Sequence, residues 1–283
     1  MDLDHVAVVV ADLDRGQAAF SRLGFRLTPR SSHRGPVPGA GVADWGSGNH
    51  CAMFRQGYFE VLGITDPDGF KPHLDRRLSQ YEGLHLIAFG TADVEAEVAG
   101  LRARDVAVAP PQRIGRAVPF GEGTRPGSFR IATLDPDAYP EADFLVIEHE
   151  TRPVLWQPSL LDHPNGVVAL ERATVAVADP PATLARLRPV LGEDRAGCFA
   201  LRPGTLEILG AGALAERLPG CTPPGPPPCG VAVTFGVQDL DATHRWLRGA
   251  GVETVADTGS LLRISPELAC GCTVEFVPAG EGQ

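Results

Sequence analysis

Apolar and polar residues alternate along several short stretches of this chain, and each such stretch runs into a segment with helical spacing. At the start, Leu3, His5, Ala7 and Val9 share one parity while Val6, Val8 and Val10 share the other, as in a strand covered on both faces. An aspartate then precedes an amphipathic helix. The same succession recurs at residues 3–25 (LDHVAVVVADLDRGQAAFSRLGF), 84–106, 170–192 and 229–252, where Leu240, Thr243, Trp246, Leu247 and Ala250 mark the helical face of the last copy. Further strands follow each helix, the last of them reading YFEVLG (58–63), DFLVIEHE (143–150), TLEILG (205–210) and TVEFVP (273–278). Each copy is thus a βαβββ module.

A single module cannot bury both faces of its sheet, so the four should pair into two barrels in an α+β fold, with curved inner faces forming a cleft. The pattern divides the chain into residues 1–150 (modules 1–65 and 83–150) and 167–283 (modules 167–212 and 229–279). Between them residues 151–166 (TRPVLWQPSLLDHPNG) lack either periodicity and read as a linker. A second proline-rich stretch, 219–230, reads as a surface connection.

Composition narrows the possibilities. The 33 glycines and 26 prolines among 283 residues favour short elements joined by turns. With a formal charge of -10, a single lysine (Lys71) and scattered arginines, nucleic-acid binding is not expected. No basic leader and no apolar run approaching the roughly 18 residues of a membrane span are present, so a cytoplasmic protein without a membrane partner is expected. The six cysteines lack CxxC spacing, and no P-loop, GxSxG or flanked GxGxxG occurs.

The candidate chemistry lies in the first half. His5 and Glu60 stand at inward parity in their strands, and a buried carboxylate calls for a cation or a donor beside it. Aligning LDHVAV with GLHLIA makes His85 the counterpart of His5. The counterpart of Glu60 is either Glu148 or His149, which lie on opposite faces, so only one points inward. Histidine and carboxylate ligands suit one divalent transition metal: Fe, Mn, Zn, Ni or Co. Residues 28–50 read either as a solvated loop or as a lid carrying His33, Arg34, Trp45 and His50, with His50 the strongest contact candidate. Tyr58 and Phe120 are candidate pocket-lining residues. In the second half the His5 position becomes Arg172 and Ala232 while Glu207 and Glu275 persist, so Arg172 is expected to pair with one of those glutamates.

The opening stretch, GYFEVLGI at 57–64 and the fourfold βαβββ reading resemble the vicinal oxygen chelate superfamily, which groups glyoxalases, bleomycin-resistance proteins and extradiol dioxygenases. FLVIEHETRPVLW followed by HPNGV (163–167) is similar to the linker of two-domain glyoxalase-like proteins. The resemblance implies paired-module barrels and a divalent metal that two neighbouring substrate oxygens chelate. On this reading His5, Glu60, His85 and either His149 or Glu148 bind the metal, with His149 favoured by the resemblance. The metal acts as a Lewis acid on a small substrate in an isomerase, lyase or dioxygenase, Glu60 serving as detachable base and His50 as second catalytic candidate. The competing expectation is a metal-free protein similar to the antibiotic-resistance members, sequestering a ligand; a catalytically silent scaffold is a third. Monomer and homodimer are both compatible with four modules in one chain.

Overall fold

A computed structural model describes residues 1–280. The first half runs β1 (Asp2–Val10), α1 (Leu13–Arg22), β2 (Ser31–Val37), β3 (Gly41–Met53), β4 (Tyr58–Ile64), α2 (Pro72–Leu78), β5 (Gly83–Gly90), α3 (Val94–Ala103), β6 (Gln112–Phe120), β7 (Gly123–Thr133) and β8 (Asp143–His149). A one-turn helix α4 (Arg152–Leu155) and a 3-10 turn (Pro158–Leu160) lead to the second half. It comprises β9 (Val167–Ala176), α5 (Pro180–Leu191), β10 (Asp194–Arg195), β11 (Cys198–Ala200), β12 (Thr205–Leu209), α6 (Ala211–Arg217), β13 (Cys229–Val237), α7 (Leu240–Gly249), β14 (Ala256–Asp257), β15 (Leu262–Ile264) and β16 (Thr273–Pro278). No helix among the described residues is long and apolar enough to cross a membrane.

The aspartate of each repeat starts its helix. Asp12, Asp93, Asp179 and Asp239 accept hydrogen bonds from the backbone N–H of Arg15, Ala96, Ala182 and Ala242, satisfying a donor that has no partner within the helix. The modules then join in a way strand patterns do not specify. β1 pairs antiparallel with β5, so modules 1 and 2 form one continuous eight-stranded sheet in the order β2-β3-β4-β1-β5-β8-β7-β6. β9 and β13 join modules 3 and 4 in the same way. Residues 28–50 are mostly a long β2–β3 hairpin rather than a loop.

Val6, Val8 and Val10 of β1 pack with Phe20, Phe59 and Phe89 on the helix-covered face. Leu3 joins that core too, although simple alternation placed it with His5. A register skip between Leu3 and His5 makes Asp4 an extra residue, and such a bulge re-aims the side chains on either side of it. The core continues into the second half through Phe235, whose ring lies 5.0 Å from Phe25 and 5.5 Å from Phe59. The linker is built into this packing: Trp156 Nε1 donates to the Phe54 carbonyl at 2.9 Å, while His163 Nδ1 accepts from Arg26 N–H and its Nε2 donates to the Met53 carbonyl.

Helices α2 and α6 have no counterpart in the sequence reading. Each occupies the inner face of its sheet: Leu74 packs with Ala7, Val9 and Leu62, and Leu214 and Leu218 pack with Ala176, Leu209 and Val231. Burying such a leucine contributes roughly 1.5–3 kcal/mol.

Candidate active site in the N-terminal barrel

Glu60 is buried on the inner face of β4, opposite Ala7 on one side and Cys51 on the other. The Asn49 side-chain amide of β3 donates to its Oε1. Asn49 Oδ1 accepts in turn from Arg116 of β6 at 2.9 Å, and the same guanidinium reaches Cys51 Sγ at 3.7 Å. β3 and β6 lie near opposite edges of the sheet, so this chain of contacts marks where the curled sheet closes on itself.

Neutral groups surround the carboxylate. Burial lowers His33, with Glu60 pulling its pKa up and Arg116 pushing it down, and His33 Nδ1 lies 2.9 Å from Ser47 Oγ. His73 of α2, 6.1 Å from the His33 ring and 5.2 Å from Trp45, is held down at about 4 by burial and then by His33. Burial also pushes the Cys51 thiol up to about 11 and Tyr58 well above its ordinary range, so neither is ionised at neutral pH.

A second cluster centres on Asp4, which the bulge turns toward His5. Asp4 accepts from His5 Nδ1 at 2.7 Å and from His149 Nε2 at 3.0 Å. Burial opposes its charge, yet hydrogen bonds from His149 and His5 prevail and hold it below the usual carboxylate range. His5 stacks on Tyr58 at 4.2 Å, and His149 Nδ1 is buried without a partner among the described residues. Of the two alternatives on β8, His149 points inward. Glu148 instead accepts the Val94 N–H at the start of α3, where the helix dipole favours an anion.

The remaining candidates lie apart from Glu60. His50 pairs with Val61, whose side chain belongs to the helix-side core, and donates through Nδ1 to the Thr28 carbonyl at 2.7 Å. It therefore stands on the face opposite Glu60. His85 stacks on Tyr81 at 3.9 Å and donates through Nε2 to the Tyr81 carbonyl; burial keeps it neutral, with a pKa of about 4.

The expected metal set is not assembled. Seven residues before the capping Asp12 stands His5, but seven before Asp93 stands Leu86; His85 falls at a register irregularity one residue away. Five residues before the same aspartates, Ala7 pairs with Glu60 and Ala88 pairs with Leu145. Module 2 thus offers leucine at both ligand positions. Asp4 takes one nitrogen each from His5 and His149, Asn49 holds Glu60, and no group of three or more His, Cys, Asp or Glu among the described residues is placed to hold a metal ion. The donors present do not fit a divalent cation.

Arg116 also borders a cavity of about 300 Å³, near the lower end of the range for small-ligand pockets, lined among others by Thr28, Ser31, Met53, Leu155 and Leu160. No local sequence pattern marks Asn49 or Arg116, because their role depends on two sheet edges meeting. Asp4 was hidden by the bulge, which leaves no mark in the alternation.

Residues 3–191 match the Glyoxalase-like domain family, about two thirds of the chain, and the protein belongs to that family. The match runs through the linker to the end of α5. A hypothetical protein from Staphylococcus aureus superposes with a TM-score of 0.67 at 13% identity, covering 98% of this chain and 99% of that one. A mutant 4-hydroxymandelate synthase from Streptomyces coelicolor gives 0.58 at 15% identity over 99% of this chain and 94% of that one. A fusion of a xylose isomerase-like TIM barrel with 4-hydroxyphenylpyruvate dioxygenase gives 0.56 at 13% identity, over 99% of this chain and 50% of that one. At these identities the likeness concerns the fold, two barrel-like eight-stranded sheets built from four βαβββ modules. No curated protein matches the sequence.

Proposed function

We propose that the N-terminal barrel is an enzyme site that moves a proton on a small oxygen-bearing substrate, with Glu60 as base and Arg116 as partner for negative charge. The observation that carries this reading is the Glu60–Asn49–Arg116 chain, whose Arg116 end lines the cavity. The Asn49 amide fixes one carboxylate oxygen and leaves the other to accept a proton. Arg116 spends one N–H on Asn49 and one on the Cys51 sulfur, and a guanidinium has five, so donors remain for a substrate oxygen. Removing a proton next to a carbonyl leaves an enolate or enediolate, whose charge Arg116 would stabilise. An α-hydroxycarbonyl or a 2-oxo acid meets these requirements, and isomerisation or lysis follows from the same intermediate.

Here Arg116 takes the part that the sequence reading gave to a metal. To bind a divalent ion, His5 and His149 would have to offer the ring nitrogens that Asp4 does not take, and Glu60 the oxygen that Asn49 does not hold, yet among the described residues these atoms are not gathered into one site.

The test is hydrogen exchange. Candidate α-hydroxycarbonyls and 2-oxo acids are incubated in D2O with chelator-dialysed protein and followed by NMR. At least one compound should exchange its α hydrogen, and Glu60→Gln, checked for folding, should slow this by about 100-fold or more. Compounds that bind without exchanging would instead support ligand sequestration.

A further inference from the structure

The cavity beside Arg116 has a wall that does not belong to the barrel. One side comes from Thr28 and Ser31, another from Arg116 and Ala117 of β6, and the third from Leu155, Gln157 and Leu160 of the segment joining the two halves. That segment is held in place. Gln157 Nε2 donates to the Pro119 carbonyl of β6 at 2.8 Å, Trp156 is tied to the Phe54 carbonyl, and the Arg152 guanidinium lies 3.7 Å above the Trp156 ring. Leu155 is 3% exposed in a core with Met53 and Phe129, and Leu160 packs against it.

The lining is sharply divided. Among the described residues that line it, Arg116 and, at the rim, Arg30 are the charged ones and none is acidic, and Arg30 is already paired with Asp14. Met53, Leu155 and Leu160 supply an apolar wall opposite. One unspent cation facing a rigid apolar surface, in a space near the lower limit of ligand pockets, suits one negative charge carried on one compact apolar body.

We propose that the segment Arg152–Leu160 is the specificity wall of the site and selects monocarboxylates with a branched or aromatic body over short or doubly charged acids. This deepens the proton-transfer reading by naming its substrate class, and rests on it only in that both use Arg116. The wall predicts a binding preference whether or not the bound acid reacts, so the two can fail separately.

The probes are acetate, succinate, isovalerate and phenylacetate, titrated by NMR and thermal shift. Phenylacetate should bind the wild type at least tenfold more tightly than acetate or succinate, with isovalerate between. Leu160→Trp and Ala117→Phe fill the cavity from opposite walls, and each should weaken phenylacetate at least tenfold. Leu160→Ala should admit naphthylacetate, which the wild type should exclude. Glu60→Gln should keep the phenylacetate preference while losing hydrogen exchange. The proposal is overturned if phenylacetate does not bind the wild type, if acetate or succinate binds as well, or if folded variants of both walls bind like the wild type. Phenylacetate binding with the stated preference, but with no exchange on any compound, would remove the proton-transfer reading and leave the wall standing.

Discussion

The two barrels share a topology and place a glutamate at the same step of the ladder, yet they treat it in opposite ways. In the second barrel Glu275 is fully buried and accepts from Arg217 at 2.9 and 2.6 Å, from Arg263 at 3.0 and 2.9 Å, and from Thr234 at 3.0 Å. Glu207 meets Thr174 at 2.9 Å, Arg172 at 3.6 Å and Arg217 at 3.7 Å, which realises the pairing expected for Arg172. Because Arg217 belongs to α6, these pairs also pin that helix inside the barrel. In the first barrel Glu60 has no ion pair within 4 Å among the described residues; a neutral amide holds it, and the arginine stands one residue further on. Ion pairs saturated within the protein leave nothing for a ligand, whereas a buried carboxylate with an unspent neighbouring cation marks a place for one.

Breaking the saturated network should produce the largest effect. Glu275→Ala strands Arg217 and Arg263 in a buried site and should cost about 3–5 kcal/mol in urea unfolding, while Glu60→Gln should cost less than about 1 kcal/mol. Equal losses would erase the proposed difference between the barrels. The reverse contrast should hold for exchange activity: Glu60→Gln should lose about two orders of magnitude, and the conservative Glu275→Asp, where it folds, should lose little.

Acid should separate the barrels more gently. His73 and His85 have folded pKa values of about 4, below their unfolded value near 6.5, so the unfolded chain takes up protons first. The stability they contribute is complete above about pH 6.5 and declines as pH falls toward 4, by up to about 2 kcal/mol each at pH 5. Glu275, whose charge burial opposes but Arg217 and Arg263 favour, is lowered, so its contribution persists through that window and fades only below the ordinary glutamate range. A His73→Gln, His85→Gln double variant should flatten the stability slope between pH 6.5 and 4; an unchanged slope would refute this assignment. Chelator should have the smallest effect. Dialysis against it should leave the melting temperature unchanged, whereas a drop of several degrees, or one metal per chain by elemental analysis, would restore His5, Glu60 and His149 as ligands.

Everything periodic in this protein is written locally. Alternation marks the strands, an aspartate caps each repeat's helix through its own third-residue N–H, and parity alone places Glu60, Glu207 and Glu275 on inner faces, because each of these depends on neighbours a few residues away. Arg172 and Ala232 at the histidine positions likewise announce the altered second barrel. What required the folded chain depends on register or on distant edges. An extra residue at Asp4 turns a neighbour of His5 into its partner, and a one-residue offset at His85 puts leucine where a ligand was expected, since a period of two converts a slip of one into a change of face. Arg116 meets Asn49 only because eight strands curl until their edges touch, a contact between residues 67 apart that no local pattern encodes.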